Sequence, residues 1–329
     1  MKKDLIDVIE EIQGRRILVI GDMVADVYLQ GTISRISREA PVLVLRQADE
    51  KIVAGGAANA ANNAATLGGK VTVVGLVGLD SGAKGLKRIL GANGADTTGF
   101  FCDEKRPTIT KTRIIAGGRA TVSQQIVRVD KESHEPMSPA FEAHIIEYIK
   151  KVLPTIEGVI LSDYGCGTIT ESIRKMLLDH CHRNAIPTIV DSRYDIHRFK
   201  GTDYIKQNDE ELASAVGYAL PTEELLYKAG AELLKDMDAK GVLITRGEKG
   251  MVLFEENGAV HNIPVSNKSE VYDVSGAGDT CVATVILALA GKAEPALAAE
   301  LSNIASGIAV KKLGTATVSA AELRQALEK

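Results

Sequence analysis

The sequence predicts an α/β fold in which a doubly wound, mostly parallel sheet is flanked by helices. Short, uninterrupted apolar runs suit strands that are buried on both faces of a parallel sheet, and here they recur with helical patterns between them. The runs are residues 17–20, 71–77, 159–161, 188–190 and 242–244. Two other segments, at about 26–53 and 107–130, have strand patterns without crossover helices. They predict a small β appendage beside the main sheet.

Composition excludes several classes of partner. The chain has 329 residues, 45% of them hydrophobic, which allows either two domains or one large sheet with an appendage. A net charge of -4 without a basic stripe argues against a nucleic-acid partner. Four scattered cysteines without a C-x-x-C pair fit a reducing, cytoplasmic compartment. The acidic, amphipathic N-terminus is unlike a signal peptide, and no apolar run is long enough for a membrane partner.

Polar residues close several of the apolar runs, where doubly wound sheets bind their ligands. They are Asp22, Asp163 after Ser162, Asp191 and Thr245, and of these Asp22 and Asp163 are candidate sugar ligands. Neither G-x-G-x-x-G nor G-x-x-x-x-G-K-[ST] occurs in the chain. Dinucleotide binding and Walker-type nucleotide binding are therefore both disfavoured.

The stretch from Val271 to Ala290 predicts a phosphoryl-transfer centre, because a turn of small residues enters a long apolar helix there. The amides of Gly276, Ala277 and Gly278 could point at one bound anion, which the helix dipole also favours. Asp279 lies in the first helical turn, where the dipole would keep it ionised and able to accept a proton from a substrate hydroxyl. A glycine turn with an acidic helix start is the competing interpretation, and these residues alone favour neither.

Two motifs in the second half could hold a nucleotide and its metal. Asn208 and Glu211, three residues apart at a helix start, could order water around Mg²⁺; a helix cap is the alternative. Residues 245–250 join two apolar runs, and Thr245, Gly247 and Gly250 could cradle phosphates. A tight hairpin turn is the alternative for that segment.

Other residues could recognise a sugar. Gly55 and Gly56 precede an Ala-rich helix containing Asn59 and could let a sugar approach the backbone, although close helix packing explains them nearly as well. Lys111 and Arg113 lie two apart and project from one strand face, with Arg128 on a neighbouring predicted strand. These cations could meet the phosphate of an anionic sugar. A solvated strand face is the favoured alternative for at least one of them.

The order of these motifs resembles that of the PfkB, or ribokinase-like, carbohydrate kinases. The shared marks are GG near the start, N-x-x-E in the middle and D-x-x-G-A-G-D near the end. The resemblance covers nearly the whole chain, so residues 1–329 would form one ribokinase-like kinase domain with the two strand segments as a β lid. More narrowly, GDMVADVYLQG, PTITKTR, LSDYGCG and KLGTATVS are similar to the D-glycero-D-manno-heptose 7-phosphate kinases of that family.

The resemblance implies a role for each motif, with ATP and Mg²⁺ as cofactors and room for a monovalent cation. Asp279 would be the base, 276–278 the anion hole, Asn208 and Glu211 the magnesium organisers, and 245–250 the binding loop for ATP phosphates. Asn303 would lie near the adenine, and Asp22, Asn59, Lys111 and Arg128 near the sugar phosphate. A homodimer through the β lid is also expected.

The expected reaction is ATP-dependent phosphorylation of the anomeric hydroxyl of heptose 7-phosphate to the 1,7-bisphosphate, in ADP-heptose synthesis. A kinase for another sugar and a non-catalytic sugar-binding regulatory protein are the alternatives, and the combination of a base with a magnesium organiser disfavours the latter. Residues 191–194 read Asp-Ser-Arg-Tyr where those kinases carry Asp-Pro-Lys-Gly, a change that could alter acceptor selectivity. The H-x-G-H signature of a nucleotidyltransferase half is missing, so we expect phosphorylation without adenylylation.

Overall fold

A computed structural model describes residues 2–117, 123–266 and 272–328. Residues 118–122 of the second predicted lid segment and Val271 of the predicted phosphoryl-transfer stretch lie outside the described residues. The strands are β1 (Arg16–Gly21), β2 (Met23–Ile36), β3 (Leu43–Gly56), β4 (Lys70–Val77), β5 (Asp96–Cys102), β6 (Ile109–Gly117), β7 (Gln124–Lys131), β8 (Gly158–Asp163), β9 (Thr188–Ser192), β10 (Tyr204–Asn208), β11 (Gly241–Thr245), β12 (Met251–Glu255) and β13 (Val260–Ile263). The α-helices are α1 (Lys2–Glu11), α2 (Ala57–Thr66), α3 (Ser81–Ala92), α4 (Pro139–Val152), α5 (Glu171–Arg183), α6 (Asp209–Val216), α7 (Glu223–Met237), α8 (Ala277–Ala290), α9 (Pro295–Ala309) and α10 (Ala320–Glu328).

The main sheet has nine strands in the order β13-β12-β11-β10-β9-β8-β1-β4-β5. Pairings from β11 across to β5 are parallel, and only β12 and β13 at one edge are antiparallel. The predicted apolar runs form β1, β4, β8, β9 and β11, and these strands are buried because helices cover both faces. The predicted fold class, a doubly wound and mostly parallel α/β sheet, is confirmed.

Two hydrophobic layers lie on the two sides of this sheet. One layer contains apolar residues of α1, α2, α3, α8, α9 and α10, and the other contains those of α4, α5, α6 and α7. Helix α8 is apolar on every side, and its residues from Asp279 to Ala290 are all buried, as expected of a helix inside the core. The first turn of α8 is thereby fixed near the carboxyl ends of the central strands. Within the described residues, no helix has both the length and the hydropathy that crossing a membrane requires.

A second sheet has four strands in the order β3-β2-β6-β7. Strand β2 leaves the core directly after β1, pairs antiparallel with β3 and parallel with β6, and β6 pairs antiparallel with β7. Large apolar side chains of this sheet remain exposed, among them Ile36, Leu43, Val127 and Val129. The sheet extends from the end of the main sheet at which the predicted site lies, but its function as a lid stays a prediction.

Candidate active site

A cavity of about 880 Å³ lies beyond the carboxyl ends of the parallel strands and against the N-terminus of α8. This volume is in the usual range for small-molecule sites. All of the residues singled out for the phosphates and the nucleotide line it: Asn208, Glu211, Thr245, Gly247, Gly250, Gly276, Ala277, Gly278, Asp279 and Asn303. Of the predicted sugar ligands, Asp163 lines it, whereas the described residues Asp22, Gly55, Gly56, Asn59, Lys111 and Arg128 do not belong to its lining.

The turn before α8 has the geometry that an anion hole requires. Gly276 caps the helix in the left-handed conformation, with φ 82°, and has no side chain to cap the first-turn amides, of which Ala277 N donates to the carbonyl of Val274 at 3.3 Å. The carboxylate of Asp273 holds the turn, because it accepts hydrogen bonds from the amides of Ser275 at 2.9 Å and Gly314 at 3.0 Å. The other first-turn amides of α8 can therefore receive an anion from the cavity.

Asp279 is buried in the first turn of α8, with 6% of its surface exposed. Its Oδ2 accepts a hydrogen bond from Asn59 Nδ2 at 2.8 Å. Burial raises the pKa of Asp279 to about 7, and the nearby Asp191 adds to this, against the lowering effect of Asn59. Burial therefore works against the expectation that Asp279 is ionised at neutral pH, which at a pKa of about 7 holds for about half of the molecules. A pKa near 7 suits a general base.

Lys206 and two carboxylates form a buried charged cluster on the cavity wall. Its Nζ lies 3.0 Å from Asp191 Oδ2 and 3.9 Å from Glu211 Oε2. Burial disfavours the ammonium, but Asp191 and Glu211 outweigh it and hold the pKa of Lys206 above its usual value. A Cβ on Gly278 would lie 2.7 Å from this Nζ, so the ammonium reaches the backbone of the anion-hole turn.

Asn208 and Glu211 form a capping box at the start of α6. Asn208 Oδ1 accepts a hydrogen bond from Glu211 N at 2.7 Å, and Glu211 Oε2 accepts one from Asn208 N at 2.8 Å. The helix-cap alternative is thus present, and both side chains also line the cavity. Among the described residues, no group of three or more acidic, His or Cys side chains could chelate a metal directly. The donors fit Mg²⁺ that is carried on phosphates and held through water.

Residues 245–250 connect the antiparallel strands β11 and β12 through a short 3₁₀ turn. The segment therefore has the conformation of a hairpin turn, which was the alternative interpretation. Gly250, with φ 83°, must be glycine because a Cβ there would lie 2.1 Å from the carbonyl oxygen of Ile263. The turn nevertheless faces the cavity, to which Lys249 adds a cation. Asn303 closes the same side, where its Nδ2 donates to the carbonyl of Pro264 at 2.7 Å.

Asp22 does not contact the cavity, although it was predicted to lie near the sugar. It is 1% exposed, and its carboxylate accepts hydrogen bonds from the amides of Tyr164 at 2.8 Å, Cys166 at 3.0 Å and Thr168 at 3.3 Å. These bonds occupy both oxygens. Asp22 therefore organises the loop after β8 instead of binding a ligand directly.

Gly55 and Gly56 make room for protein atoms, which is the packing alternative. A Cβ on Gly55 would lie 2.3 Å from Asp26 Oδ2, and one on Gly56 would lie 3.2 Å from the Tyr164 ring. Asn59 is fully buried and contacts the carboxylate of Asp279. These three residues act on the site through Asp26, Tyr164 and Asp279.

The predicted cationic cluster is only partly available. Arg113 pairs with Asp26, and Arg128 donates to both oxygens of Asp130 at 2.9 Å, while 48% of the Arg128 side chain is exposed. Arg128 is thus a solvated strand residue whose charge is matched, and its predicted contact with the sugar phosphate is not supported.

Two other cations converge on one aromatic ring at the cavity. Lys111 Nζ lies 5.2 Å and Arg193 Cζ 5.5 Å from the centroid of the Tyr164 ring. Neither cation forms an ion pair within the described residues. Tyr164 and Arg193 line the cavity, and Asp163 lies beside them, where Ser192 Oγ donates to its Oδ2 at 2.8 Å. Uncompensated cations beside a base suit an anionic acceptor.

The family model for pfkB family carbohydrate kinases matches residues 15–322. The chain belongs to this kinase family. Such kinases transfer a phosphoryl group from ATP to a sugar with the help of a divalent metal ion.

Named relatives agree with this family. The bifunctional protein HldE of Geobacter metallireducens is 40% identical over 307 residues, which are 93% of this chain and 61% of that protein. HldE of Azorhizobium caulinodans is 41% identical over 321 residues, 97% of this chain and 66% of that protein. The chain thus spans less than two thirds of the length of these relatives.

Solved structures share the fold of this kinase. Arabidopsis thaliana ribokinase, complexed with ribose and ATP, superposes with a TM-score of 0.74 at 20% identity, covering 96% of this chain and 99% of that chain. Phosphofructokinase-2 from Escherichia coli, in complex with substrates and products, superposes with a TM-score of 0.76 at 18% identity, covering 96% of this chain and 98% of that chain.

Sequence reasoning assigned no role to three residues of this kinase that the structure places at the site. Asp26 is 4% exposed, pairs with Arg113 and packs on Gly55. The ring of Tyr164 lies against the cations of Lys111 and Arg193, and Lys206 lies next to the anion-hole turn. Only Lys206 left a signal in the sequence, because a lysine inside a short buried strand needs charged partners.

Proposed function

We propose that this kinase phosphorylates the anomeric hydroxyl of D-glycero-D-manno-heptose 7-phosphate and forms the 1,7-bisphosphate used in ADP-heptose synthesis. The observation that supports this acceptor is the position of two cations, Lys111 and Arg193, at the Tyr164 ring beside the cavity. Within the described residues, neither cation forms an ion pair. A neutral sugar offers these groups no charge. A terminal phosphate would receive charge-assisted hydrogen bonds, each contributing about 1.5–3 kcal/mol. The HldE relatives support the same acceptor.

The chemistry assigned to the chain follows from the cavity. The acceptor hydroxyl lies against Asp279, whose carboxylate takes the proton as the oxygen attacks the γ-phosphorus of ATP. The amides of Gly276, Ala277 and Gly278 receive the charge that develops on the phosphoryl oxygens. Mg²⁺ bound to ATP would be held through water by Asn208 and Glu211 and supplies neutralisation of the phosphates. The 245–250 turn and Asn303 bind the remainder of the nucleotide.

A kinase for another sugar phosphate is the second candidate, and the residues after β9 favour it. Tyr194 is 71% exposed, and its ring packs where a Cβ on Gly165 would lie, 3.0 Å away. This aromatic side chain stands next to Arg193 at the acceptor end, where it could select a sugar of different length.

An ADP-release assay with a panel of sugars tests the proposal. Heptose 7-phosphate, heptose, fructose 6-phosphate and ribose are compared with wild type, Lys111→Ala and Arg193→Ala. We expect kcat/KM for heptose 7-phosphate to exceed that for heptose by at least about 100-fold, from two charge-assisted hydrogen bonds. Each variant should raise KM for the phosphorylated sugar and leave the neutral sugar nearly unchanged. Arg128→Ala is the matched control, because Asp130 already pairs with that cation.

Each other outcome rejects a part of the proposal. Equal kcat/KM for heptose and its 7-phosphate would reject the phosphate site. A higher kcat/KM for fructose 6-phosphate would select the second candidate. Sugar binding without turnover on any member of the panel would indicate a regulatory protein.

We also propose that the second sheet serves as a lid and that its exposed apolar side chains pair with a second copy of the chain. The exposed Val127 and Val129 on β7 and Ile36 at the end of β2 would be covered in such a dimer. Light scattering should give the mass of a dimer for wild type and a lower mass for Val127→Lys/Val129→Lys. A wild-type monomer would contradict this proposal.

A further inference from the structure

We propose that Asn63 is a positioning residue, which fixes the amide orientation of Asn59 and so keeps an N–H group of Asn59 directed at the base Asp279. Asn59 and Asn63 lie one turn apart on α2, and both are fully buried where this helix packs against α8. The inference rests on the proposed role of Asp279 as the base and not on which sugar is the acceptor.

The side-chain amide of Asn63 has one orientation that satisfies its neighbours, because two backbone groups flank it. Its Oδ1 accepts a hydrogen bond from the amide of Val318 at 3.2 Å, and a backbone N–H can only donate. Its Nδ2 donates to the carbonyl of Asn59 at 3.0 Å, and a carbonyl can only accept. Exchanging oxygen and nitrogen would place donor against donor and acceptor against acceptor. The backbone therefore fixes the orientation of Asn63.

This fixed amide in turn determines the orientation of Asn59. Asn63 Nδ2 also donates to Asn59 Oδ1 at 3.2 Å, which holds that oxygen towards Asn63. The Nδ2 of Asn59 is thereby left to donate to Asp279 Oδ2 at 2.8 Å. A chain of three hydrogen bonds thus links the backbone amide of Val318 to the carboxylate of the base.

The orientation of Asn59 matters because the two protonation states of Asp279 favour different partners. An ionised carboxylate only accepts hydrogen bonds, whereas a protonated one has an O–H that donates. An amide free to turn would give its N–H to the ionised form and its oxygen to the protonated form. Asn63 prevents the second arrangement. Asn59 then stabilises only the ionised carboxylate, which is the form that takes the proton of the acceptor hydroxyl.

Other ionisable groups also act on Asp279, from several elements of the fold. They are Asp26 on β2, Tyr164 after β8, Asp191 on β9 and Lys206 on β10. Among the described residues, the side chain of Asn63 forms no hydrogen bond with any of these four. A substitution of Asn63 therefore reaches Asp279 through Asn59 and leaves those groups in place.

A purely structural role is the competing explanation, because Asn63 Oδ1 also accepts from Thr280 Oγ1 at 3.1 Å and so ties α2 to α8. Two variants, each made alone and in the Asn59→Ala background, distinguish the roles. Asn63→Leu has a similar size and removes both the donor and the acceptor. Asn63→Asp keeps an acceptor for Val318 and Thr280, which preserves the fold if Asn63→Leu does not, but it cannot donate to Asn59. Its added charge acts in both backgrounds and cancels in the comparison.

The readout is the pH dependence of kcat/KM, measured with whichever sugar the wild-type enzyme phosphorylates. With Asn59 present, each Asn63 variant should move the acidic limb upward by about 0.5–1 pH unit more than it does in the Asn59→Ala background, the effect of one neutral hydrogen bond. Thr66→Val is the matched control. Thr66 Oγ1 donates to the carbonyls of Asn63 and Val318 at 3.1 and 2.8 Å, so its loss should lower the thermal unfolding midpoint and leave the limb in place.

Equal shifts in the two backgrounds, or no shift with either variant, would overturn the role of Asn63. The single variant Asn59→Ala separates this result from a wrong base. If its limb moves upward while the Asn63 variants add nothing that depends on Asn59, Asp279 remains the base and only the positioning role is rejected. If the limb of Asn59→Ala does not move, the assignment of Asp279 is rejected, and the role of Asn63 with it.

Discussion

Replacing Asn59 with Ala should move the pH dependence of catalysis without removing any group that takes part in the chemistry. Asn59 Nδ2 donates to Asp279 Oδ2 at 2.8 Å, and this bond favours the ionised carboxylate. Burial raises the pKa of Asp279 to about 7, so kcat/KM of wild type should fall about tenfold per pH unit below that value. Without the amide donor, the pKa of Asp279 should be higher still.

The size of the shift follows from the bond that is lost. A hydrogen bond to a charged group contributes about 1.5–3 kcal/mol, and one pKa unit corresponds to about 1.36 kcal/mol. The acidic limb of the kcat/KM profile should therefore move upward by about one to two pH units. At pH 7, where about half of the wild-type carboxylate is ionised, the variant should be about 5- to 50-fold slower, whereas at pH 9.5 most of its activity should return.

The assay is direct chromatographic measurement of ADP between pH 5.5 and 9.5, which avoids the pH dependence of coupling enzymes. Asn62→Ala is the matched control. Asn62 lies on the same helix and is also buried, but its Oδ1 accepts a hydrogen bond from Asn93 at 2.7 Å and it has no bond to Asp279. An acidic limb that stays in place in Asn59→Ala, or moves to lower pH, would refute the assignment of Asp279 as the base.

Three further predictions concern the base, the metal and the loop after β8. Asp279→Asn should lower kcat by about 10²–10⁴ with nearly unchanged ADP binding, and a kcat within a few-fold of wild type would show that another group is the base. Glu211→Gln should raise the Mg²⁺ concentration needed for half-maximal rate, whereas an unchanged magnesium curve with weaker sugar binding would place Glu211 at the acceptor. Asp22→Ala leaves the amides of Tyr164, Cys166 and Thr168 without their acceptor. Its free energy of unfolding in urea should fall by at least about 2 kcal/mol, and a loss under about 0.5 kcal/mol would contradict that role.

Periodicity was enough to predict the main sheet, because strands buried on both faces are contiguous apolar runs that need no partner to be recognised. The turn at Gly276 could also be predicted, because the glycines and the apolar helix that follows them are adjacent in the sequence. The raised pKa of Asp279 could not be predicted, because the burial that raises it comes from packing around α8. The hydrogen bond that Asp279 accepts from Asn59 spans 220 positions.

Charges were misassigned for a similar reason. Strand spacing correctly placed Lys111 and Arg113 on one strand, but it could not show that Arg113 is neutralised by Asp26, 87 positions away. A lysine at a solvent face and a lysine at a binding site look alike until their carboxylate partners are known. Arg193 and Tyr164 come from loops after different strands, so only the folded chain reveals that they are neighbours.

The burial of α8 on all sides also has a consequence for how the enzyme loses activity. Its residues from Asp279 to Ala290 lie inside the core, between the sheet and helices α2 and α9. The amide hydrogens of this segment can exchange with solvent only when the surrounding layer opens, so their exchange should follow global unfolding. The second sheet, with its exposed side chains, should exchange much earlier. Heat inactivation of the catalytic centre would then coincide with unfolding of the whole sheet, while fluctuations of the second sheet would leave the base and the anion-hole turn in place.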